Sequence, residues 1–191
     1  MLLSGACRSA KQSYYYSPAG AMVTGPGGPA KKISIKPYCC PATTAIEIRS
    51  KKGASDTDAQ WVRIPLSVPG GKIKSVSLCY SIKTSGPGKT FISQMQLTKM
   101  TIPNSTVILY DDDTNLVSTA PDCYTVKTNA VADGTVTLAL RVNIKRSDAI
   151  YIGGIALEVQ QKGPGSNFPP INIEGLLKNI MENKIKKVIH Q

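Results

Sequence analysis

The run Asp111-Asp112-Asp113-Thr114-Asn115 is the one concentrated cluster of oxygen ligands in the chain. Calcium takes about six to eight oxygen donors from carboxylates and amides, so Asp111, Asp113 and Asn115 form a candidate calcium site. The spacing is not that of an EF-hand loop, and consecutive carboxylates do not converge easily. A turn after a buried strand also favours Asp and Asn, which bond their own backbone. No other cofactor is expected.

The remaining reactive groups point away from catalysis. The single histidine, His190, sits next to the C-terminus, a poor place to hold the positioned imidazole of a nucleophilic triad. Only Glu47, Glu158, Glu174 and Glu182 supply glutamate carboxylates, and none forms an evident acid–base pair. The glycine-rich stretches "GPGGP" and "TSGPGKT" lack the strand-to-helix setting of a phosphate-binding loop. The expectation is a non-enzyme. Among the aromatic residues, Trp61 lies opposite the apolar set of its strand. With Tyr151 it forms a candidate glycan platform, since flat rings stack on sugar faces. The competing reading packs these rings against the second sheet or the N-terminal segment.

Five cysteines leave at least one unpaired in a monomer. The absence of any C-x-x-C spacing argues against zinc. Cys79 and Cys123 can bridge if their strands are neighbours; the alternative is buried free thiols behaving as small apolar residues. The 23 basic and 12 acidic residues give a net charge of +11, which attracts anionic partners. The basic residues come singly or in pairs, with little aromatic interleaving, and that pattern argues against a nucleic-acid groove.

These groups must be positioned by strands. Sixteen glycines and thirteen prolines, with a core built on Val, Ile and Leu, favour many turns and an all-β fold. In "GTVTLALRVNIKRSDAIYIGGIALEV" (134–159) the residues Val136, Leu138, Leu140, Val142 and Ile144 recur at a spacing of two, a strand pattern. Ile150 and Ile152 share one phase and Ile155, Leu157 and Val159 the other. A β-bulge at Gly153-Gly154 restores the register. "KRSD" is read as the reversal of a hairpin joining the two strands. "WVRIPLSV" and "SVSLCYSIK" are read as separate strands turned by "PGG", with Pro65 marking an edge. In "TFISQMQLTKM", Phe91, Met95 and Leu97 share the apolar side. "STVILY" is apolar on both sides and is read as central.

The pattern predicts an antiparallel β-sandwich over residues 31–160, jelly-roll or immunoglobulin-like. An extended N-terminal arm (1–30) precedes it. A Gly/Pro linker (161–172) leads to an amphipathic helix over 173–190, whose stripe of Ile173, Leu177, Ile180, Met181, Ile185 and Val188 forms a candidate interface. No run is long enough to span a membrane. Read from Met1, the chain carries no signal peptide and is expected in the cytoplasm; a start further upstream would place it outside the cell or on a particle surface.

An apolar helical stripe must be covered. The leading expectation is therefore a homo-oligomeric structural subunit that self-assembles through its termini, as in a shell, fibre or capsid. The alternative is a carbohydrate-binding β-sandwich module, with a glycan as partner.

Overall fold

Eleven β-strands and one 3-10 turn make up the regular structure among the residues described by the computed structural model. These are residues 10–25, 28–29, 33–38, 45–51, 59–86, 89–102, 105–145 and 147–161. The strands are β1 (Lys11–Tyr16), β2 (Met22–Gly25), β3 (Gly28–Pro29), β4 (Ile33–Pro37), β5 (Ile46–Ser50) and β6 (Gln60–Lys83). They continue with β7 (Phe91–Ile102), β8 (Ser105–Asp112), β9 (Asp122–Lys127), β10 (Val131–Asn143) and β11 (Ala149–Gln161). Every pairing is antiparallel. Among the described residues no helix is long and apolar enough to cross a membrane.

The 24-residue β6 organises the whole arrangement. Its first half pairs with β10 and, at Trp61–Arg63, with β2; β7 and β8 extend that layer beyond β10. Its second half pairs with β11 and β9, and β5, β4 and β1 extend that layer beyond β11. Strands from both sides of β6 in the pairing order, Ile33 of β4 and Leu97 of β7 among them, contribute to one hydrophobic core. The sheet therefore folds over on itself as a sandwich. The alternation expected for β10 and β11 holds: Val136, Leu138, Leu140, Val142, Ile150, Ile152, Ile155, Leu157 and Val159 are all fully buried. Each contributes roughly 1.5–3 kcal/mol on burial, so a one-residue slip that turned a strand's whole set outward cannot compete.

The bulge at Gly153-Gly154 is present, with Ile152 opposite Tyr80 and Ile155 opposite Leu78. The hairpin is not. β10 and β11 do not pair with each other; each is a neighbour of β6, in a different layer. Lys145 and Asp148 of the "KRSD" segment stand at a corner between layers, built on Asp148.

The "PGG" segment does not turn the chain either. β6 runs straight through it and drops an extra residue between Val68 and Gly71, then a second between Ile73 and Ser75. These two bulges shift the buried phase from even to odd and back, which lets one strand serve both layers. Pro65, opposite Thr137, lies beyond the end of β2, so the edge reading holds locally. An added Cβ at Gly71 would stand 2.7 Å from the Gln160 carbonyl oxygen and 2.9 Å from Val159 Cγ1. Gly71→Ala is expected to cost about 1–3 kcal/mol through overpacking, read as a lower denaturation midpoint with unchanged slope. Gly154→Ala, with open space around its Cβ position, is the near-neutral control.

Three further expectations are corrected. Residues 11–16 of the expected arm are strand β1, paired with β11 from Lys11–Gln160 to Tyr16–Ile155 and tied by a Lys11–Glu158 ion pair at 2.6 Å. The "STVILY" strand, β8, ends the pairing order at the sheet edge and leaves Val107 and Ile108 exposed; two-sided apolarity reflects an uncovered flank. Ile92, rather than Phe91, enters the core, because Ser93 is an extra residue opposite β10. The linker and the helix over 173–190, with its six interface positions, lie outside the described residues.

Candidate functional site

Register across the β6–β11 layer assembles a cavity on its outer face. Pro37 of β4 is opposite Ile46 of β5, Ile46 opposite Ile152 of β11, Ile152 opposite Tyr80 of β6, and Tyr80 opposite Asp122 of β9. One step along, Glu47, Tyr151 and Ser81 form the neighbouring row. The odd-numbered residues of β6 point outward here, so Cys79 and Ser81 share a face with Tyr151. Together with Tyr38, Asp122, Cys123 and Gly153 they line a cavity of about 400 Å³.

The aromatic wall is a pair. The Tyr38 and Tyr151 rings lie 4.2 Å apart between centroids, tilted at 47°. Tyr151 is fixed from behind: its hydroxyl donates to Glu47, whose Oε1 also accepts from Arg49 Nη2 at 2.7 Å. The Arg49 hydrogen bond holds the Glu47 carboxyl below the usual carboxylate range, against the opposing effect of desolvation. Burial, with the Glu47 carboxylate second, pushes the Tyr151 hydroxyl above its ordinary value and keeps it a neutral donor. The floor is the Cys79–Cys123 disulfide and Gly153, which brings no side chain into the space. On the far side Asp122 Oδ1 accepts from the Cys123 amide at 2.8 Å; Oδ2 is left without a protein donor among the described residues. An aromatic wall beside a serine hydroxyl can stack a sugar ring and hydrogen-bond to its hydroxyls.

Trp61 is elsewhere. It projects from the outer face of the β6–β10 layer, with the Arg63 guanidinium carbon 5.9 Å from its ring centroid. The two residues expected to form one glycan platform therefore belong to different surfaces. Tyr38 went unnoticed in the sequence because nothing near it signals Tyr151; the register of β4, β5 and β11 brings them together. Tyr80 lies in the core, and Tyr110 and Tyr124 pack against it. The bridge joins Cys79 and Cys123 because β6 and β9 pair them directly, so the free-thiol alternative fails.

The acidic run is engaged by protein donors. Asp111 accepts from Gln94 Nε2 at 2.8 Å and Gln96 Nε2 at 3.0 Å. Asp112 accepts from the Tyr124 hydroxyl and the Thr114 amide, each at 3.0 Å. Among the described residues no three His, Cys, Asp or Glu side chains gather as a metal site. Of the candidate calcium residues Asp111, Asp113 and Asn115, Asp111 turns to β7.

No protein-family model matches the sequence, and no curated protein is similar to it. Solved structures align with part of the chain. A family 4 carbohydrate-binding module aligns with a TM-score of 0.49 at 12% identity, over 75% of this chain and 89% of the module. A family 36 module, solved with calcium and xylotriose, aligns at 0.43 and 12% over 74% and 97%. The C-terminal family 6 module of a marine laminarinase from Zobellia galactanivorans aligns at 0.46 and 9% over 77% and 99%. At these identities the likeness is one of fold. The leading expectation of a self-assembling shell, fibre or capsid subunit is corrected here. Carbohydrate-binding modules of several families are among the structures that align with the chain, and the helix that prompted the expectation lies outside the described residues.

Proposed function

We propose that this chain is a non-catalytic carbohydrate-binding module whose ligand seats in the cavity walled by Tyr38 and Tyr151. The observation that carries the reading is that paired ring wall, which lines about 400 Å³ together with Ser81 and Asp122. Stacking supplies affinity and the polar rim supplies orientation, the usual division of labour in small-ligand pockets. The Glu47 carboxylate is held by Arg49 and Tyr151, which suits a supporting role rather than acid–base chemistry. A disulfide in the floor favours an oxidising compartment over the cytosol, in line with a module that meets polysaccharide outside the cell.

Calorimetric titration with neutral oligosaccharides, xylotriose and galactotriose among them, tests the proposal. Tyr151→Ala is expected to weaken binding at least tenfold, about 1.4 kcal/mol, and Tyr151→Phe to retain most of it because the ring remains. Unchanged affinity in both Tyr151→Ala and Tyr38→Ala, or no binding across the panel, overturns the assignment.

A further inference from the structure

The outer face of the other layer carries a second constellation that the cavity does not use. Register places Trp61 of β6 opposite Arg141 of β10, and Arg141 opposite Gln94 of β7. In the next row Arg63 is opposite Ala139, Ala139 opposite Gln96, and Gln96 opposite Asp111. Ala139 is fully buried yet does not belong to the hydrophobic core. Its phase is outward, so the longer side chains around it close over it. On this face a small residue is flanked by an indole, two guanidinium groups and two amides.

Arg63 and the two glutamines are held in place. Arg63 Nε donates to Thr24 Oγ1 at 3.0 Å while its guanidinium lies over the Trp61 ring. Asp111 accepts from both glutamine Nε2 atoms, which fixes the two amides and turns their Oε1 atoms away as acceptors. Arg141 is exposed. Two guanidinium groups outnumber the single Asp111 carboxylate, which the amides already engage.

We propose that this face binds an acidic polysaccharide bearing carboxylates, independently of the cavity. The Trp61 ring stacks on a pyranose face. Arg141 and Arg63 pair with uronate carboxylates, for which the planar guanidinium fork is well matched. The glutamine Oε1 atoms accept from ring hydroxyls. The surplus positive charge of the chain, +11, adds steering but no specificity.

The probe is immobilised polygalacturonate, compared with the same polymer fully methyl-esterified. Wild type is expected to bind the acid form at least tenfold more tightly. Trp61→Ala and Arg141→Ala should each weaken that binding tenfold or more, with Trp61→Phe partly restoring it. Lys127→Ala removes one charge from an exposed site on β9 and should leave binding within twofold. Tyr151→Ala should also leave it unchanged, so failure here and failure of the cavity reading are separable. Equal losses in Arg141→Ala and Lys127→Ala would reduce the effect to net charge. That result, indifference to Trp61→Ala, or no retention of wild type would each overturn the proposal.

Discussion

Replacing Cys79 and Cys123 together by serine should lower the unfolding free energy by about 4 kcal/mol. The cysteines are 44 residues apart, and closing a loop of that length removes this much chain entropy from the unfolded state. Little else holds the bridged element. β9 is six residues long, pairs only with β6, and buries just Val126. Urea denaturation with and without reductant measures the effect. A loss below about 1 kcal/mol would show that the strand is held by its ladder alone. Because both cysteines line the cavity, the double variant should also weaken oligosaccharide binding, whereas Gly71→Ala, compared well below its own unfolding midpoint, should not.

The second large effect is expected at the corner between layers. Asp148, 1% exposed, accepts from the Thr90 hydroxyl at 2.6 Å, the Ser85 amide at 2.9 Å and the Thr84 hydroxyl at 3.1 Å. Thr90 in turn accepts from the Lys145 amide at 3.0 Å. The β6–β7 and β10–β11 connections are thereby tied to one carboxylate. Hydrogen bonds to a charged group are worth roughly 1.5–3 kcal/mol each, and removing the acceptor leaves buried donors unpaired. Asp148→Ala should therefore destabilise the fold by about 3 kcal/mol or more, and Asp148→Asn, which keeps one acceptor, by less.

This site also has a pH signature. Desolvation pushes the Asp148 carboxyl up, but the hydrogen bonds from Thr90, Ser85 and Thr84 together outweigh it and hold the group below the usual carboxylate range. A lowered folded-state value means that the unfolded chain takes up the proton first. The stabilisation is complete above the unfolded aspartate value of about 3.9 and fades as pH falls through the folded value. The stability gap between wild type and Asp148→Asn should accordingly narrow on acidification below about pH 4. A gap that stays constant down to pH 2 would argue against the carboxylate as the cause.

The parts of this fold legible in the sequence are those governed by nearest neighbours along the chain. Period-two alternation marked β10 and β11, since side chains on a strand must alternate between core and solvent. The odd jump between Ile152 and Ile155 demanded a bulge, and two glycines marked where it falls. Pairing was another matter. The short "KRSD" link suggested a hairpin, yet both strands pair with β6 and not with each other. "PGG" has turn chemistry, but a strand that serves two layers needs bulges and one side-chain-free position just as much.

The candidate site lies beyond what local pattern can reach. Trp61 and Tyr151 were identifiable as outward-facing rings because each falls out of phase with its apolar neighbours; phase says nothing about which layer a strand joins. Their separation onto two faces, and the meeting of Tyr38 with Tyr151, follow from pairings such as Ser81–Tyr151, Trp61–Arg141 and Glu47–Tyr151, between residues far apart in the chain. By itself the sequence determined that strands form and which side of each is buried, because those depend on adjacent side chains. Only the tertiary structure decided which outward faces coincide, because register between distant strands is set by the packing of the whole core.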